Sequence, residues 1–225
     1  MMPAMITVHH LERSRSQRVL WLLEELGLEY DIVRYKRDPK TLLAPAELRA
    51  VHPLGKSPVL VDGDLTLAES GAILEYLVGR NGEGLAPARG TPEHLRYTYW
   101  MHYAEGSMMP LLVLKLVAER IRTSPVPFFV RPVTRTISKR LSTSFVDPQL
   151  NRHLDHVERE MSGRSWFAGD SFSVADIQMS YPIEAADFRG VLGSRAQLGR
   201  FLTTIRARPA YQRALARGGP VNLGV

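Results

Sequence analysis

The order of strand-like and helix-like segments is the sequence feature that most constrains the fold. Over roughly the first eighty residues, apolar side chains spaced for strands and for helices follow one another in the order β-α-β-α-β-β-α. Ile6 and Val8 alternate with polar residues as in a half-buried strand, and Val19 to Leu26 has the apolar spacing of an amphipathic helix that Gly27 is placed to end. Because a helix joins the first two strands, we expect them to be parallel with a right-handed crossover.

The rest of this segment predicts a hairpin and a closing helix. Tyr30 to Tyr35 is typical of a second strand, and Pro45 to Val51 of a short helix. Asp62-Gly63 lies between two short apolar runs, which is a strong hairpin signal. Ser70 to Val78 predicts a helix with Ser70 as its N-cap. The sequence therefore predicts an α/β domain over residues 1–81 with a mixed four-stranded sheet.

Beyond this domain the strand signals fade. Residues 82–92 are rich in glycine and proline, which is typical of a linker, and we expect an all-α domain over residues 93–225. The proline-rich segment from Thr123 to Pro148 predicts a loop or short helices. Helices are predicted over Glu93 to about Arg122 with a break at most near Gly106 and Pro110, Gln149 to Met161, Ser173 to Ala186, and Gln197 to Arg217 with a division at Pro209.

Composition excludes several classes of protein. The 225 residues include no cysteine, which excludes a disulfide framework, a thiolate metal site and a cysteine nucleophile. The net charge is +6, but the basic residues are spaced among apolar ones as on a solvated helix face, and we expect no nucleic-acid partner. No apolar run has the ~18 residues of a membrane span, and the N-terminus lacks signal-peptide features, so we expect a cytoplasmic protein with no membrane span.

Histidines do not form a recognisable metal site. His153 and His156 share one face of a predicted helix, but no third ligand is evident. His9 and His10 point to opposite faces of a strand. We therefore expect no bound metal.

The segment around the third predicted strand holds residues that suit an anionic peptide. A cis bond before Pro58 would turn the backbone of Ser57 outward to pair with an extended peptide, whereas a trans bond would make Pro58 a simple strand opener. Glu69 and Ser70 lie at a helix start, where free N–H groups attract a carboxylate; the alternative is an ordinary N-cap. Lys56 could pair with a second carboxylate or be a surface lysine.

Two other serines lie at predicted helix starts. Ser14 falls in the turn between the first strand and the first helix, where its hydroxyl could donate to an anion; alternatively, Ser14 or Ser16 caps the helix. Ser173 and Asp176 have the spacing of a capping box, and we interpret that pair as structural and not catalytic.

Five strings of the sequence, together with the order of elements, form a recognisable pattern: SRSQRVLWLLEELGLEY, HPLGKSPVL, LAESGAILEYL, FAGDSFSVADI and RPAYQRALA. Together these features resemble the soluble glutathione S-transferases, in particular their bacterial and fungal serine-type branch. The resemblance extends from about Ile6 to Arg217. It implies a thioredoxin-like N-terminal domain, an all-α C-terminal domain with a second-substrate pocket, and a homodimer.

The resemblance also implies roles for residues of the N-terminal domain. Ser14 would hydrogen-bond the glutathione sulfur, and the backbone of Ser57, before a cis Pro58, would pair with the cysteinyl part. Glu69 and Ser70 would hold the γ-glutamyl end.

Two further positions complete the glutathione site implied by the resemblance. Lys56 would approach the glycyl carboxylate, and His52 stands in the adjoining loop where many members have Asn. Tyr103, Met108 and Met109 of the helical domain are expected near the second-substrate pocket.

The function implied is that of a glutathione transferase, which activates the thiolate for attack on a hydrophobic electrophilic small molecule in detoxification. Glutathione is then a co-substrate, and no cofactor is expected. Because there is no cysteine, the cysteine-dependent thiol transferase branch is excluded. Two alternatives remain: a glutathione-dependent peroxidase or disulfide reductase using the same thiolate, and a non-catalytic module that binds glutathione or another ligand.

Overall fold

The structure is a computed structural model that describes residues 5–39, 41, 43–82 and 84–220. Its first half has the predicted order of elements. These are β1 (Ile6–Leu11), α1 (Ser16–Leu26), β2 (Tyr30–Tyr35), α2 (Ala46–Val51), β3 (Val59–Asp62), β4 (Leu65–Ala68) and α3 (Ser70–Asn81).

The strands form one mixed sheet of four strands in the order β2-β1-β3-β4. β1 runs parallel to β2, with Ile6 opposite Tyr30, and antiparallel to β3, with Val8 opposite Leu60. β3 and β4 form the antiparallel hairpin. The predicted α/β fold with a mixed sheet is confirmed.

Helix α1 occupies the centre of the molecule. It packs against the sheet, α3, and two helices of the second half, and every residue from Ser16 to Leu23 is buried. Gly27 ends it in the left-handed conformation, with φ 63°, as predicted. The buried stretch includes polar side chains at the helix start, and these belong to the candidate site.

The second half of the described chain is helical, as predicted, with two π-helical turns that continue one helix into the next. The elements are α4 (Pro92–Tyr103), a π turn (Ala104–Met108), α5 (Met109–Thr123), α6 (Arg131–Leu141), a π turn (Ser142–Val146), α7 (Asp147–Glu160), α8 (Val174–Phe188), α9 (Ala196–Arg206) and α10 (Pro209–Gly218).

The structure settles one alternative that the sequence left open and corrects one local prediction. The segment from Thr123 to Pro148 contains the 11-residue helix α6, which runs through a π turn into α7. Pro132 and Pro148 lie in first helical turns, where a missing N–H breaks no intrahelical hydrogen bond. Ser70 is the first residue of α3 and not its N-cap, because Glu69 takes the N-cap position.

One contiguous core of buried apolar side chains runs through both halves and includes Leu20 of α1, Trp100 of α4 and Ile177 of α8. The division into residues 1–81, 82–92 and 93–225 therefore stays a prediction. No helix in the described part of the chain is long and apolar enough to cross a membrane.

Candidate functional site

Ser14 lies in the turn that links the end of β1 to the start of α1. It is 8% exposed, so only an edge of the side chain reaches solvent. Its Oγ lies 2.7 Å from Oγ of Ser16, and its hydroxyl is 3.3 Å from the acceptor Oγ of Ser57. The fold thus brings together a predicted thiol contact and the residue before Pro58, which are far apart in sequence.

Ser57 is held against β1 by its own side chain. Its hydroxyl donates to the carbonyl of His9 at 2.8 Å, and its Oγ accepts the backbone N–H of Leu11 at 3.1 Å. The peptide bond between Ser57 and Pro58 is cis. These contacts fix the start of β3 beside the turn that carries Ser14.

A buried histidine stands behind the two serines. Oγ of Ser16 lies 2.8 Å from Nδ1 of His10, which is 5% exposed. Ser14, Ser16 and His10, here called the serine–histidine network, connect the turn at Ser14 to the core. Sequence reasoning missed His10, because its spacing from Ser16 crosses a strand, a turn and a helix start, and no periodicity links them.

An ion-pair cluster anchors this turn to the helical half. The carboxylate of Glu105, in the π turn after α4, accepts from Nε of Arg15 at 3.1 Å and from Nη2 of Arg18 at 2.5 Å. Arg18 is 2% exposed and also donates to the carbonyl of Gln178 at 3.0 Å. Tyr181 lies under both guanidinium groups.

The electrostatics of this cluster favour its ionised form. Burial raises the pKa of the Glu105 carboxyl, but the charges of Arg18 and Arg15 outweigh burial and hold it below its usual value. Burial lowers the pKa of Arg18, and Glu105 opposes that shift. The predictions did not include these three residues; the nearest signal was the expected helix break at Gly106.

The residues predicted for the two ends of a bound peptide lie in two segments. His52 and Lys56 precede β3, and Glu69 and Ser70 lie where β4 leads into α3. Glu69 adopts φ 71°, a backbone conformation that L residues rarely take, at the start of α3. Glu69 and Lys56 are exposed, His52 is half-buried and Ser70 is buried. Within the described residues, the side chains of Lys56, Glu69 and Ser70 make no hydrogen bond or ion pair with other protein groups, so they can contact a ligand.

The residues expected near a second-substrate pocket are packed in the core. Met108 is fully buried, and Met109 and Tyr103 expose little surface. The Tyr103 hydroxyl lies 2.6 Å from Nδ1 of His153, and the Tyr99 hydroxyl lies 3.1 Å from Nε2 of His156, so each of the two histidines pairs with an aromatic hydroxyl. The described residues contain no group of three or more His, Asp or Glu placed to hold a metal.

The start of α8 forms a capping box. Oδ2 of Asp176 accepts the N–H of Ser173 at 2.8 Å and its hydroxyl at 3.0 Å, and Oδ1 accepts the N–H of Phe167 at 2.8 Å. Burial raises the pKa of Asp176 to about 7, although these hydrogen bonds act in the opposite direction. The box ties the loop before α8 to its first turn.

Family models match both halves of the sequence. Residues 3–79 match the model described as "Glutathione S-transferase, N-terminal domain", and residues 142–217 match "Glutathione S-transferase, C-terminal domain".

Individual relatives extend the match over nearly the whole chain. It is 35% identical over 209 residues to Glutathione S-transferase 3 of Schizosaccharomyces pombe, covering 92% of this chain and 85% of that protein. It is 33% identical to Glutathione S-transferase 1 of Saccharomyces cerevisiae, covering 92% of each.

The solved structures similar to this fold include a glutathione S-transferase from Actinobacillus pleuropneumoniae. That structure has a TM-score of 0.79 and 33% identity, and the match covers 97% of this chain and 95% of the other. A sphingomonad glutathione S-transferase solved in complex with glutathione has a TM-score of 0.70 and 26% identity, covering 95% and 98%.

Proposed function

This chain belongs to the glutathione S-transferase family, and we propose that it joins glutathione to an electrophilic small molecule, with the Ser14 hydroxyl stabilising the reacting thiolate. The observation that carries the proposal is the position of Ser14 at the start of α1, 3.3 Å from Ser57 and beside the cis Pro58. The positive end of α1 adds to the attraction for a negative sulfur. Because Ser14 keeps an edge at the protein surface, a thiol can reach it.

The energy of one hydrogen bond is sufficient for this role. A cysteine thiol ionises near a pKa of about 8.5, and a hydrogen bond to a charged group contributes roughly 1.5–3 kcal/mol. At about 1.36 kcal/mol per pKa unit, one such bond lowers the thiol pKa by about one to two units. The thiolate then becomes a major species near neutral pH, and the rest of the site positions it.

The free side chains along the sheet edge support a site for the rest of glutathione. Glu69 offers a carboxylate for the ammonium of the γ-glutamyl end, and Ser70, at the N-terminus of α3, offers donors for its carboxylate. Lys56 suits the glycyl carboxylate at the opposite end, and the backbone of Ser57 suits the cysteinyl amide between them. His52 lies in the loop that leads to this segment.

In the reaction, the thiolate sulfur attacks the electrophilic carbon of the second substrate and forms a carbon–sulfur bond. In a substitution, the electron pair of the broken bond leaves with the departing group. In an addition, the π electron pair moves into the acceptor conjugated to that carbon. A hydrophobic electrophile remains part of the proposal. Because Tyr103, Met108 and Met109 are packed in the core, they would support the wall of its pocket from behind. Arg15, which follows Ser14 in sequence, forms a partly exposed ion pair with Glu105 of the helical half, and this pair would border that substrate.

Parallel assays test the proposal. Immobilised glutathione should retain the purified protein, and a chlorodinitrobenzene electrophile should be conjugated faster than in buffer alone. Peroxide and disulfide reduction, measured on the same preparation, separate transfer from the two reductase activities. Retention without any of the three activities would favour a binding module, and absence of retention would contradict the proposal.

The assembly, location and biological role implied by the family are also proposals. In a homodimer the sedimenting species at micromolar concentration should have about 50 kDa, twice the 25.3 kDa of one chain. A single species of the monomer mass would contradict the dimer. A cytoplasmic location and a role in detoxification rest on the same likeness.

A further inference from the structure

The connection between α5 and α6 carries two phenylalanines that face solvent. Phe128 is 78% exposed and Phe129 is 68% exposed, more than any other phenylalanine among the described residues. Their rings pack edge to face, with centroids 5.6 Å apart. Because the burial of large apolar side chains is favourable, an exposed aromatic pair indicates a surface that another molecule covers.

The two phenylalanines lie at the tip of a helical hairpin. Helices α5 and α6 pack against each other, and the buried hydroxyl of Ser138 on α6 donates to the carbonyl of Ala118 on α5 at 2.7 Å. Residues 124–130 turn the chain between the two helices, and Pro125 and Pro127 each fix one φ angle of that turn. The aromatic pair is therefore held at the end of the hairpin, with most of its surface open to solvent.

The apolar surface continues from the tip along one side of α6. Val133 is 55% exposed and Ile137 is 51% exposed. Together with Phe129 they are spaced four residues apart, and side chains at this spacing lie on one side of a helix. The backbone N–H of Thr134 donates to the carbonyl of Val130, so helical geometry begins directly after the aromatic pair.

The same segment is uniformly basic. Residues 120–146 contain no aspartate or glutamate, and all six of their basic residues are exposed. Within the part of the chain that the structure describes, none of the six side chains donates a hydrogen bond or forms an ion pair. By contrast, Arg208 and Arg213 near the end of the chain are paired with Glu25 and Glu24 of α1. The six residues are Arg120, Arg122, Arg131, Arg135, Lys139 and Arg140.

Three of these cations lie close to the aromatic pair. Arg122 is in the last turn of α5, and Arg131 and Arg135 are in the first two turns of α6. At about 1.5 Å of rise per residue, all three lie within about 10 Å of the tip along the hairpin. Phe128, Phe129 and these three arginines, here called the basic tip, place an apolar end next to unpaired positive charge.

We propose that the basic tip binds the surface of an anionic lipid bilayer. The two phenylalanines lie below the lipid headgroups, and the three arginines lie at the level of the lipid phosphates and carboxylates. A bilayer presents negative charge and apolar chains at adjacent depths, in the order in which the tip presents positive charge and apolar rings. The inference goes beyond the proposed function and does not depend on glutathione binding.

Other partners fit the basic tip less well. A nucleic acid would neutralise the arginines, but the phenylalanine rings already pack on each other, which leaves less ring surface for stacking on bases. A symmetric contact between two copies of this chain through the tip would place like charges against each other. A bilayer accounts for both the charge and the apolar side chains.

Sedimentation with lipid vesicles tests the proposal on the full-length protein. The vesicles are phosphatidylcholine alone, or phosphatidylcholine with about one third phosphatidylserine. We expect partition onto the phosphatidylserine vesicles to be at least about tenfold stronger and to fall as salt is raised, because salt screens the attraction between the arginines and the anionic surface. Absence of binding to the phosphatidylserine vesicles overturns the proposal, and so does equal binding to both kinds of vesicle.

A serine substitution tests the apolar part of the tip. Phe128→Ser should lower partition onto the phosphatidylserine vesicles about tenfold, because one apolar ring no longer leaves water. Phe188→Ser is the matched control, at a phenylalanine that is 55% exposed at the end of α8, and it should leave partition unchanged. Equal partition of the two variants would overturn the proposal.

A double substitution tests the charge. Arg131→Gln combined with Arg135→Gln should lower partition about tenfold or more. The matched control combines Arg89→Gln with Arg152→Gln, which removes two exposed arginines that also lack a side-chain partner among the described residues. An equal loss in the two double variants would mean that the net charge of the whole protein causes binding, which overturns the proposal.

Fluorescence measures how deeply the tip enters the bilayer. In Phe128→Trp an indole replaces the exposed ring, and bromine atoms on the lipid acyl chains quench an indole that reaches them. The wild-type protein supplies the background, and two of its three tryptophans, Trp21 and Trp100, are buried. We expect much stronger quenching in the variant. Quenching equal to that of the wild type overturns the proposal.

The remaining outcomes identify a different partner. Tighter binding to single-stranded DNA than to phosphatidylserine vesicles would assign the tip to nucleic acid, and a smaller sedimenting mass for Phe128→Ser without lipid would assign it to a contact between copies. Either result overturns the proposal. Thermal unfolding followed by circular dichroism shows whether each variant is folded, and the wild-type vesicle measurement decides the matter even if one is not. Failure to bind glutathione would overturn the proposed function and leave the vesicle result standing.

Discussion

The starts of helices α1 and α8 both carry buried serines, and the two starts differ in where their hydrogen bonds end. At α8, Asp176 accepts from the backbone of Phe167 and from both donors of Ser173, so the hydrogen bonds close on themselves. At α1, the bonds run in a line from His10 in the core through Ser16 to Ser14, whose hydroxyl also lies 3.3 Å from Oγ of Ser57. The set at α8 is buried and stabilises the fold, whereas the line at α1 ends at Ser14, which keeps an edge at the protein surface for a ligand.

The difference is also visible in the helix caps. Ser173 and Asp176 form the capping box of α8, and both are buried. At α1 the N-cap residue is Arg15, whose side chain makes no capping hydrogen bond, and Oγ of Ser14 accepts the N–H of Ser16 at 3.3 Å. A serine near a helix start does not by itself show whether it caps the helix or contacts a ligand. The groups that it hydrogen-bonds decide between these two roles.

Breaking the closed set should have the largest effect on stability. Asp176→Ala leaves three donors unpaired in a buried site, and at about 1–3 kcal/mol each, with partial relaxation, we expect a loss of about 4 kcal/mol in the free energy of unfolding. Urea denaturation measures the loss. Asp170→Ala, at an exposed acid in the same loop, should change stability by less than about 0.5 kcal/mol. Equal stability of the two variants would show that the three hydrogen bonds accepted by Asp176 do not stabilise the fold.

The ion pair between Arg18 of α1 and Glu105 joins the start of α1 to the helical half, and its loss should have the next largest effect on stability. Glu105→Ala leaves the buried guanidinium of Arg18 without its carboxylate, and we expect a loss of about 3 kcal/mol. Because the folded pKa of Glu105 is lowered, its stabilisation is complete above the usual value of 4.5 and is lost as pH falls through the lower folded value.

Denaturation curves at several pH values check both statements. The stability difference between wild type and Glu105→Ala should be constant at neutral pH and should shrink as the solution becomes more acidic than the usual pKa of a glutamate. A difference that grows on acidification would show that the carboxylate is not stabilised by the two arginines.

Ser70 should affect ligand binding and not stability. If its hydroxyl donates to the γ-glutamyl carboxylate, Ser70→Ala should weaken glutathione binding by about 1–3 kcal/mol, since a charged group loses a donor. Retention on immobilised glutathione and calorimetric titration measure the change. Identical affinity in the variant would remove Ser70 from the site.

A matched pair of serines gives the smallest effects and compares the two helix starts directly. Ser16→Ala and Ser173→Ala each remove one buried hydroxyl, and each should cost about 1 kcal/mol of stability. Only Ser16→Ala should change the thiol pKa of bound glutathione, because Oγ of Ser16 lies 2.7 Å from Oγ of Ser14 and holds it in place. An equal pKa change in both variants would mean that the α1 start has no special connection to the ligand.

The α/β half was predictable because its signals are local. Apolar spacing set the strands and helices, Asp62-Gly63 set the hairpin, and Gly27 set the end of α1. The segment that holds α6 could be predicted only as a loop or short helices, because it contains several prolines and a proline in a first helical turn costs the helix no hydrogen bond.

The site was predictable only in part, because only some of its signals are local in sequence. Ser14 and Ser57 could be proposed from turn and strand signals near each of them. Arg18 and Glu105 are separated by 87 positions, and only the packing of α1 against the helical half brings them together. His10 likewise joins the serine–histidine network only through its tertiary contact with Ser16 of α1.

The most direct test of the account is the thiol pKa of glutathione bound to the Ser14→Ala variant, titrated through the ultraviolet absorbance of the thiolate. Glutathione affinity should be nearly unchanged, because most contacts lie elsewhere on the peptide. The pKa should rise by about one to two units relative to wild type, and turnover at neutral pH should fall about 10- to 100-fold with partial recovery in alkaline buffer. A thiol pKa equal to that of the wild-type complex would contradict the role of Ser14.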